Sequence, residues 1–124
     1  LKTALMKAVC MYSYSPEYYL HCVRTLCERG AGVNVKDEMG WTAVLTAARY
    51  GNAVYIPILL GHGASLTDTT SDQENILHID AEYGEGEIIE KVMQSHPEII
   101  RSLANARNVL GETPLMVAQR CEKD

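Results

Sequence analysis

Four times the chain writes nearly the same six residues: Thr3-Ala-Leu-Met-Lys-Ala8, Thr42-Ala-Val-Leu-Thr-Ala47, Asn75-Ile-Leu-His-Ile-Asp80 and Thr113-Pro-Leu-Met-Val-Ala118. Successive starts lie 39, 33 and 38 residues apart. A spacing near ~33 residues means one supersecondary unit repeated along an axis, with no single globular centre. A unit that short cannot bury its apolar face alone, so stacking on its neighbours is the fold. Thr at the head of a copy can cap a helix by accepting from the free N–H groups of the first turn. Pro114 follows Thr113, where a missing N–H costs nothing. Leu5, Val44, Leu77 and Leu115 recur at one place in each short helix and are expected on its core stripe. Gly30 and Gly63 follow the second helix of their copies, where a left-handed stop is expected. Strand content should be slight and confined to hairpins in Ala31 to Trp41 and Ala64 to Glu74, both rich in turn residues.

Two further segments extend the repetition. Gly30-Ala-Gly-Val-Asn-Val-Lys-Asp37 runs into Glu38-Met-Gly-Trp-Thr42, and Leu59-Leu-Gly-His-Gly-Ala-Ser-Leu66 is its counterpart one copy later. Together these resemble the ankyrin repeat, with its pattern D-x-x-G-x-T-P-L-H-x-A-A-x-x-G, an apolar helix, then L-L-x-x-G-A-D-V-N. Thr42 to Ala48, Gly51, Leu59, Leu60, Gly63 and Ala64 follow it position by position, and Gly111-Glu-Thr-Pro-Leu115 restarts it. The resemblance implies an all-α solenoid of stacked helix-turn-helix units with short hairpin extensions. The expected division is one domain over 1–124, with repeats at about 1–36, 37–69, 70–107 and a partial 108–124. Because the first copy enters at its first helix and the last stops inside its own, an excerpt of a longer array is expected, with further repeats of the parent chain as neighbours.

Departures from the pattern are local. Copies one and three carry about six and five residues beyond the period of ~33. The first excess falls in Met11 to Tyr19, between two helices, and brings Tyr12, Tyr14, Tyr18 and Tyr19 together. The second falls around Gln94 to Glu98, and Ile99 to Leu103 replace the usual signature there. Pro57 lies within the second helix of copy two and should break a turn unless it sits at the start of the helix. Asp80 holds a place that the family gives to a small apolar residue.

The 124 residues are 47% apolar and contain no run of eighteen apolar residues, so no membrane-spanning helix is expected. Cys10, Cys22, Cys27 and Cys121 form no regular framework, and free cysteines in a reducing compartment are the expectation. A metal site from His21, Cys22 and Cys27 is the alternative, but no C-x-x-C pair supports it. Net charge is −5. From Tyr50 to Glu90 there is no Lys or Arg, while Asp68, Asp72, Glu74, Asp80, Glu82, Glu85, Glu87 and Glu90 fall there. Such a field disfavours nucleic acid and favours a basic partner segment. A solvated face that keeps the array soluble is the plainer reading.

No catalytic constellation stands out: no nucleophile elbow, no H-E-x-x-H and no phosphate loop occurs. The chain therefore reads as no enzyme, with no cofactor. His78 holds the family's usual histidine place, where its ring is expected to bond backbone between repeats. Asn34 lies where ankyrin asparagines can be hydroxylated, but Gly32 replaces the acidic residue that usually precedes the valine, so that modification is not expected.

What remains is surface. The resemblance implies that hairpin tips and first helices line a concave groove that binds other proteins. Its freely varying positions are here Glu38, Met39, Trp41, Arg49, Tyr50, Ser71, Asp72, Glu74, Glu82, Tyr83, Val109, Leu110 and Glu112, with Arg120 and Cys121 completing the row. Exposed Trp and Tyr dominate interface energetics, at about 2 kcal/mol or more each. Trp41, the only tryptophan, with Tyr50 and Tyr83 is the expected anchor. Packing of Trp41 on the next hairpin is the alternative. The Tyr-rich insertion, expected to project from the helix–helix turn, is a second candidate surface; the alternative is that Tyr18 and Tyr19 cover the apolar face of the second helix. The function expected is an intracellular, cytoplasmic or nuclear, protein-binding scaffold or adaptor that takes a basic or amphipathic segment of another protein. The alternatives are a regulatory or assembly segment of a larger enzyme or ion channel, and a rigid spacer with an idle groove.

Overall fold

A computed structural model describes residues 3–10, 16–84 and 86–122. They form α1 (Ala4–Val9), α2 (Pro16–Glu28), α3 (Ala43–Arg49), α4 (Ile56–Gly61), α5 (Ile76–Tyr83), α6 (Glu87–Ser95), α7 (Ile100–Asn105) and α8 (Pro114–Glu122). A 3-10 turn, Ala53–Tyr55, leads into α4, and another, Pro97–Ile99, into α7. No strand occurs among the described residues, and the stretches expected as hairpins are turns.

Each repeated hexad starts a helix, and its first residue caps it. The side chain of Thr3 accepts from the Met6 N–H at 3.1 Å, that of Thr42 from Leu45 at 3.4 Å, and that of Thr113 from Met116 at 3.4 Å. Asn75 accepts twice, from Leu77 at 2.9 Å and His78 at 3.1 Å. Its amide also donates to the Leu103 carbonyl at 3.0 Å, a bond no threonine could make. That bond ties α7, the extra helix of the longer third copy, to α5. At the other ends, Gly30 and Gly63 adopt φ of 86° and 88°, the left-handed stops expected. The N–H of Ala31 reaches back to the Leu26 carbonyl at 2.9 Å, and that of Ala64 to Leu59 at 3.0 Å. These bonds satisfy carbonyls that a helix end otherwise leaves orphaned.

Helices α1, α3, α5 and α8 stack side by side, and α2, α4 and α6 form a second layer against them. In the middle of the stack Ala43 to Ala48 of α3 are all buried, because neighbours cover it on both sides. Val23, Tyr55, Ile56, Leu59, Ile88 and Val92 supply the facing side of the core. Burial of each large aliphatic is worth about 1.5–3 kcal/mol. Helices as short as α1, with six residues, do not persist alone, so this interface is what sustains them.

The repeats are also joined by polar side chains. Asn34 donates to the Gly63 carbonyl at 3.0 Å and accepts from the Ser65 N–H at 2.7 Å, bridging copies one and two. His78 Nδ1 accepts from the Asn75 N–H at 3.1 Å, which places its proton on Nε2. Nε2 then donates to the Glu112 carbonyl at 2.9 Å, the inter-repeat role expected of this histidine.

Some expectations need correction. Leu115, placed on the core stripe, is 67% exposed. It faces an apolar groove of about 440 Å³ beside Leu77, Ile89, Ile100 and Ala118, and nothing described covers it. Tyr18 and Tyr19 belong to the first turns of α2 and not to a projecting loop; Tyr19 packs partly against the core, Tyr18 stays exposed, and their rings meet edge to face at 5.4 Å. Met11 to Ser15, with Tyr12 and Tyr14, and Glu85 lie outside the described residues. Pro57 sits in the first turn of α4, after the 3-10 turn, where its ring is harmless. Asp80 is buried, like the small residue it replaces.

Candidate protein-binding groove

Three turns of one design form the lip of the stack: Asp37 to Trp41, Thr70 to Glu74 and Asn108 to Glu112. In each, the first N–H donates to the last carbonyl, at 2.9, 3.0 and 2.9 Å. In each, the first side-chain oxygen also accepts from the N–H groups two and four residues on. Asp37 Oδ1 takes Met39 and Trp41, both at 2.9 Å. Thr70 Oγ1 takes Asp72 at 3.2 Å and Glu74 at 3.3 Å. Asn108 Oδ1 takes Leu110 at 3.0 Å and Glu112 at 2.9 Å. Asp, Thr and Asn thus do one job, which their chemistry shares and their letters conceal. Neighbouring tips are locked by backbone: the Ser71 N–H donates to the Met39 carbonyl at 2.8 Å, and Val109 to Asp72 at 2.9 Å.

The side chains that these turns and the helix ends carry fall into two groups. Trp41, half-buried against the core, and the exposed Tyr50 and Tyr83 surround Arg49. Its guanidinium carbon lies 5.5 Å from the Trp41 ring centre, 5.7 Å from Tyr50 and 5.2 Å from Tyr83. Packing of Trp41 and its place in an exposed cluster are therefore both present. The second group encloses a cavity of about 420 Å³ lined by Asp72, Glu74, Glu82, Tyr83, Leu110 and Arg120. Leu110 stands 74% exposed on its rim. Arg120 is committed to Glu112 through two bonds, at 2.9 and 3.2 Å. That pairing, with a further bond from Asn108, holds the Glu112 carboxyl below its usual range. Glu74 is pushed the other way, by burial first and then by the charges of Glu82 and Asp72. The cavity thus keeps uncompensated negative charge. Glu38, Met39 and Ser71 are exposed at the tips and line neither group.

Nothing in the sequence marks Arg49 as the element that unites the three rings, although it is one of the varying positions of the repeat. The Glu112–Arg120 pair had a signal in its eight-residue spacing, two turns of helix beyond a capping turn. Among the described residues no three His, Cys, Asp or Glu side chains converge on a metal-sized site. Cys27 is buried and the other cysteines are half-buried, all of them free. No described helix is long and apolar enough to cross a membrane.

A family model of ankyrin repeats, three copies long, matches residues 5–96. The chain belongs to the ankyrin-repeat family. It is 31% identical over 81 residues to the SH3 and multiple ankyrin repeat domains protein 2 of Homo sapiens. That match covers 60% of this chain and 4% of the relative, so the chain spans a small part of that protein's length. Ankyrin repeats are in general protein–protein interaction modules.

Proposed function

We propose that this ankyrin array is a non-catalytic scaffold or adaptor of the cell interior, with units at about 1–36, 37–69, 70–107 and 108–124 acting as one domain. It captures a basic or amphipathic segment of another protein along the lip of the stack. The observation that carries this reading is the pairing of an aromatic cluster, Trp41, Tyr50 and Tyr83, with an adjacent acidic cavity at Asp72, Glu74 and Glu82. Aromatic anchors supply contact area at low entropic cost, and the acids select the sign of the partner and speed its approach. Glu38, Met39, Ser71, Leu110 and Glu112 extend the contact surface along the lip, beyond the anchors. The small share of the relative that is matched favours a module within a multi-domain protein. A regulatory or assembly segment of a larger enzyme or channel would use the same groove.

Trp41 is the only tryptophan, so its emission reports on the groove directly. Titration with a basic amphipathic peptide should shift that emission and saturate, while an acidic peptide of equal hydrophobicity should leave it unchanged. The Tyr50→Ala/Glu74→Lys variant should bind the basic peptide at least tenfold more weakly. Equal binding by both proteins would remove the groove from consideration.

A further inference from the structure

A second cavity, of about 240 Å³, lies at the ends of α3 and α5, on Tyr50, Asp80, Tyr83, Gly84, Glu87 and Ile88. Asp80 and Gly84 form one wall together. The carboxylate stands where a side chain on residue 84 would be, and a Cβ there would collide with Asp80 Oδ1. Asp80 is 2% exposed, and Oδ1 has no hydrogen-bond partner. Backbone N–H groups of Ile89 and Gly86 act on the same carboxylate from the start of α6. A buried carboxylate oxygen without a partner is costly and rare, and a cation bound beside it would offset that cost.

We infer that this cavity receives the ammonium group of a lysine side chain, with the Asp80 carboxylate as its acceptor and Tyr50, Tyr83 and Glu87 lining it. Charge points to a cation. Asp80 and Glu87 both line the space, and no Lys or Arg occurs between Tyr50 and Glu90. Arg49 is spread over the rings of Trp41, Tyr50 and Tyr83, and neither it nor Lys91 of α6 lines the cavity. Backbone dipoles point the same way. Tyr50 and Gly51 close the C-terminal end of α3, and Tyr83 and Gly84 that of α5, so two negative helix ends meet one positive end, that of α6. Tyrosine faces attract a cation as well. The choice of lysine over arginine follows from the placing of the two carboxylates. A compact ammonium on a flexible stem presents three donors and can reach acceptors on two walls, Asp80 and Glu87, whereas a planar guanidinium is best matched by one bidentate carboxylate. The lysine belongs to the segment held in the groove, so the inference rests on that reading, although the cavity can be tested without a partner.

The probe is Nα-acetyl-lysine methylamide, titrated into the whole chain while the amide signals of Gly51 and Gly84 are followed by NMR. Saturable shifts in the millimolar range are expected, with the arginine analogue several-fold weaker. Asp80→Asn should weaken lysine binding at least tenfold and Glu87→Gln several-fold. Glu74→Gln, which alters the other cavity, should leave the lysine titration unchanged. Shifts that never saturate and are matched by sodium chloride would overturn the inference, as would equal binding by Asp80→Asn. A cavity that holds only water would give the first of these results. Failure here with basic peptides still bound at Trp41 would leave the groove standing. Saturable lysine binding without any peptide capture would remove the groove and keep the cavity.

Discussion

Gln73 holds a backbone angle that its counterparts in the other two turns leave to glycine. Its φ is 61°, against 81° at Gly40 and 79° at Gly111. A side chain in that region costs about 1–2 kcal/mol, while glycine's freedom in the unfolded chain offsets about 0.5–1 kcal/mol of any relief. Gln73→Gly should therefore stabilise the fold by roughly 0.5–1 kcal/mol in urea unfolding, and a loss of stability would refute the strain. Gly40→Ala should do the reverse, by about 2 kcal/mol, because its Cβ would also stand 2.8 Å from the Ser71 nitrogen. Asp80 breaks a different local rule. Burial, and after it the charge of Glu87, raises its carboxyl above the ordinary range, against the pull of the Ile89 and Gly86 N–H groups. The folded state therefore holds a proton over a window where the unfolded chain has lost it. Stability falls as pH rises from the usual carboxylate value to the raised one. Asp80→Asn should flatten that slope and raise stability at neutral pH by on the order of 1 kcal/mol. An unchanged pH profile would mean that the carboxylate is not strained. A group that weakens the fold and lines a cavity is where a binding role is to be sought.

At the scale of helices, Asn75 shows how one residue adapts the repeat to an insertion. It keeps the capping role of Thr42 and Thr113 and adds the bond to Leu103, 28 residues away. Asn75→Thr preserves the cap and removes only that tie, at a cost of about 1 kcal/mol. Amide exchange should accelerate in α7 and stay unchanged in α3; uniform acceleration would show that Asn75 serves α5 instead. The heads and stops of the helices were legible in the sequence because each depends on neighbours within four residues: Thr caps, Pro114, Gly30 and Gly63. The place of the insertion in the long third copy, around Gln94 to Glu98, was legible from the repeat spacing, but not that it would form α7. The Asn75 tie was not legible, because its partner is remote and any backbone carbonyl looks alike. Leu115 was misplaced because a core stripe is a statement about two helices, and α8 has no partner helix over that face among the described residues. In the candidate groove the residue types could be read from position in the repeat. Their partition into an aromatic cluster around Arg49 and a separate acidic cavity depends on side-chain directions at three different helix ends.

Across the whole molecule, stacking concentrates charge that is only moderately uneven along the chain. Acids from one turn and a helix end, Asp72, Glu74 and Glu82, converge on one cavity, and Arg120 is already taken by Glu112. A cationic segment bound there should be held partly by field, so its affinity should drop as salt shortens the screening length to about 10 Å at 0.1 M. Proton linkage makes the sharper test. The Glu74 carboxyl is raised by burial and by its acidic neighbours, so it is partly protonated just above the ordinary glutamate range. A basic peptide needs the ionised form and must displace that proton. Peptide affinity should therefore climb with pH through the interval between the usual and the raised value, then level off above it. Glu112 titrates below that interval because Arg120 and Asn108 stabilise its charge, and it contributes nothing to the climb. Glu74→Gln should abolish most of the pH dependence while leaving the Trp41 fluorescence response intact. A wild-type affinity that does not change across this interval would place the peptide on the aromatic cluster alone, away from the acids that give the stack its sign.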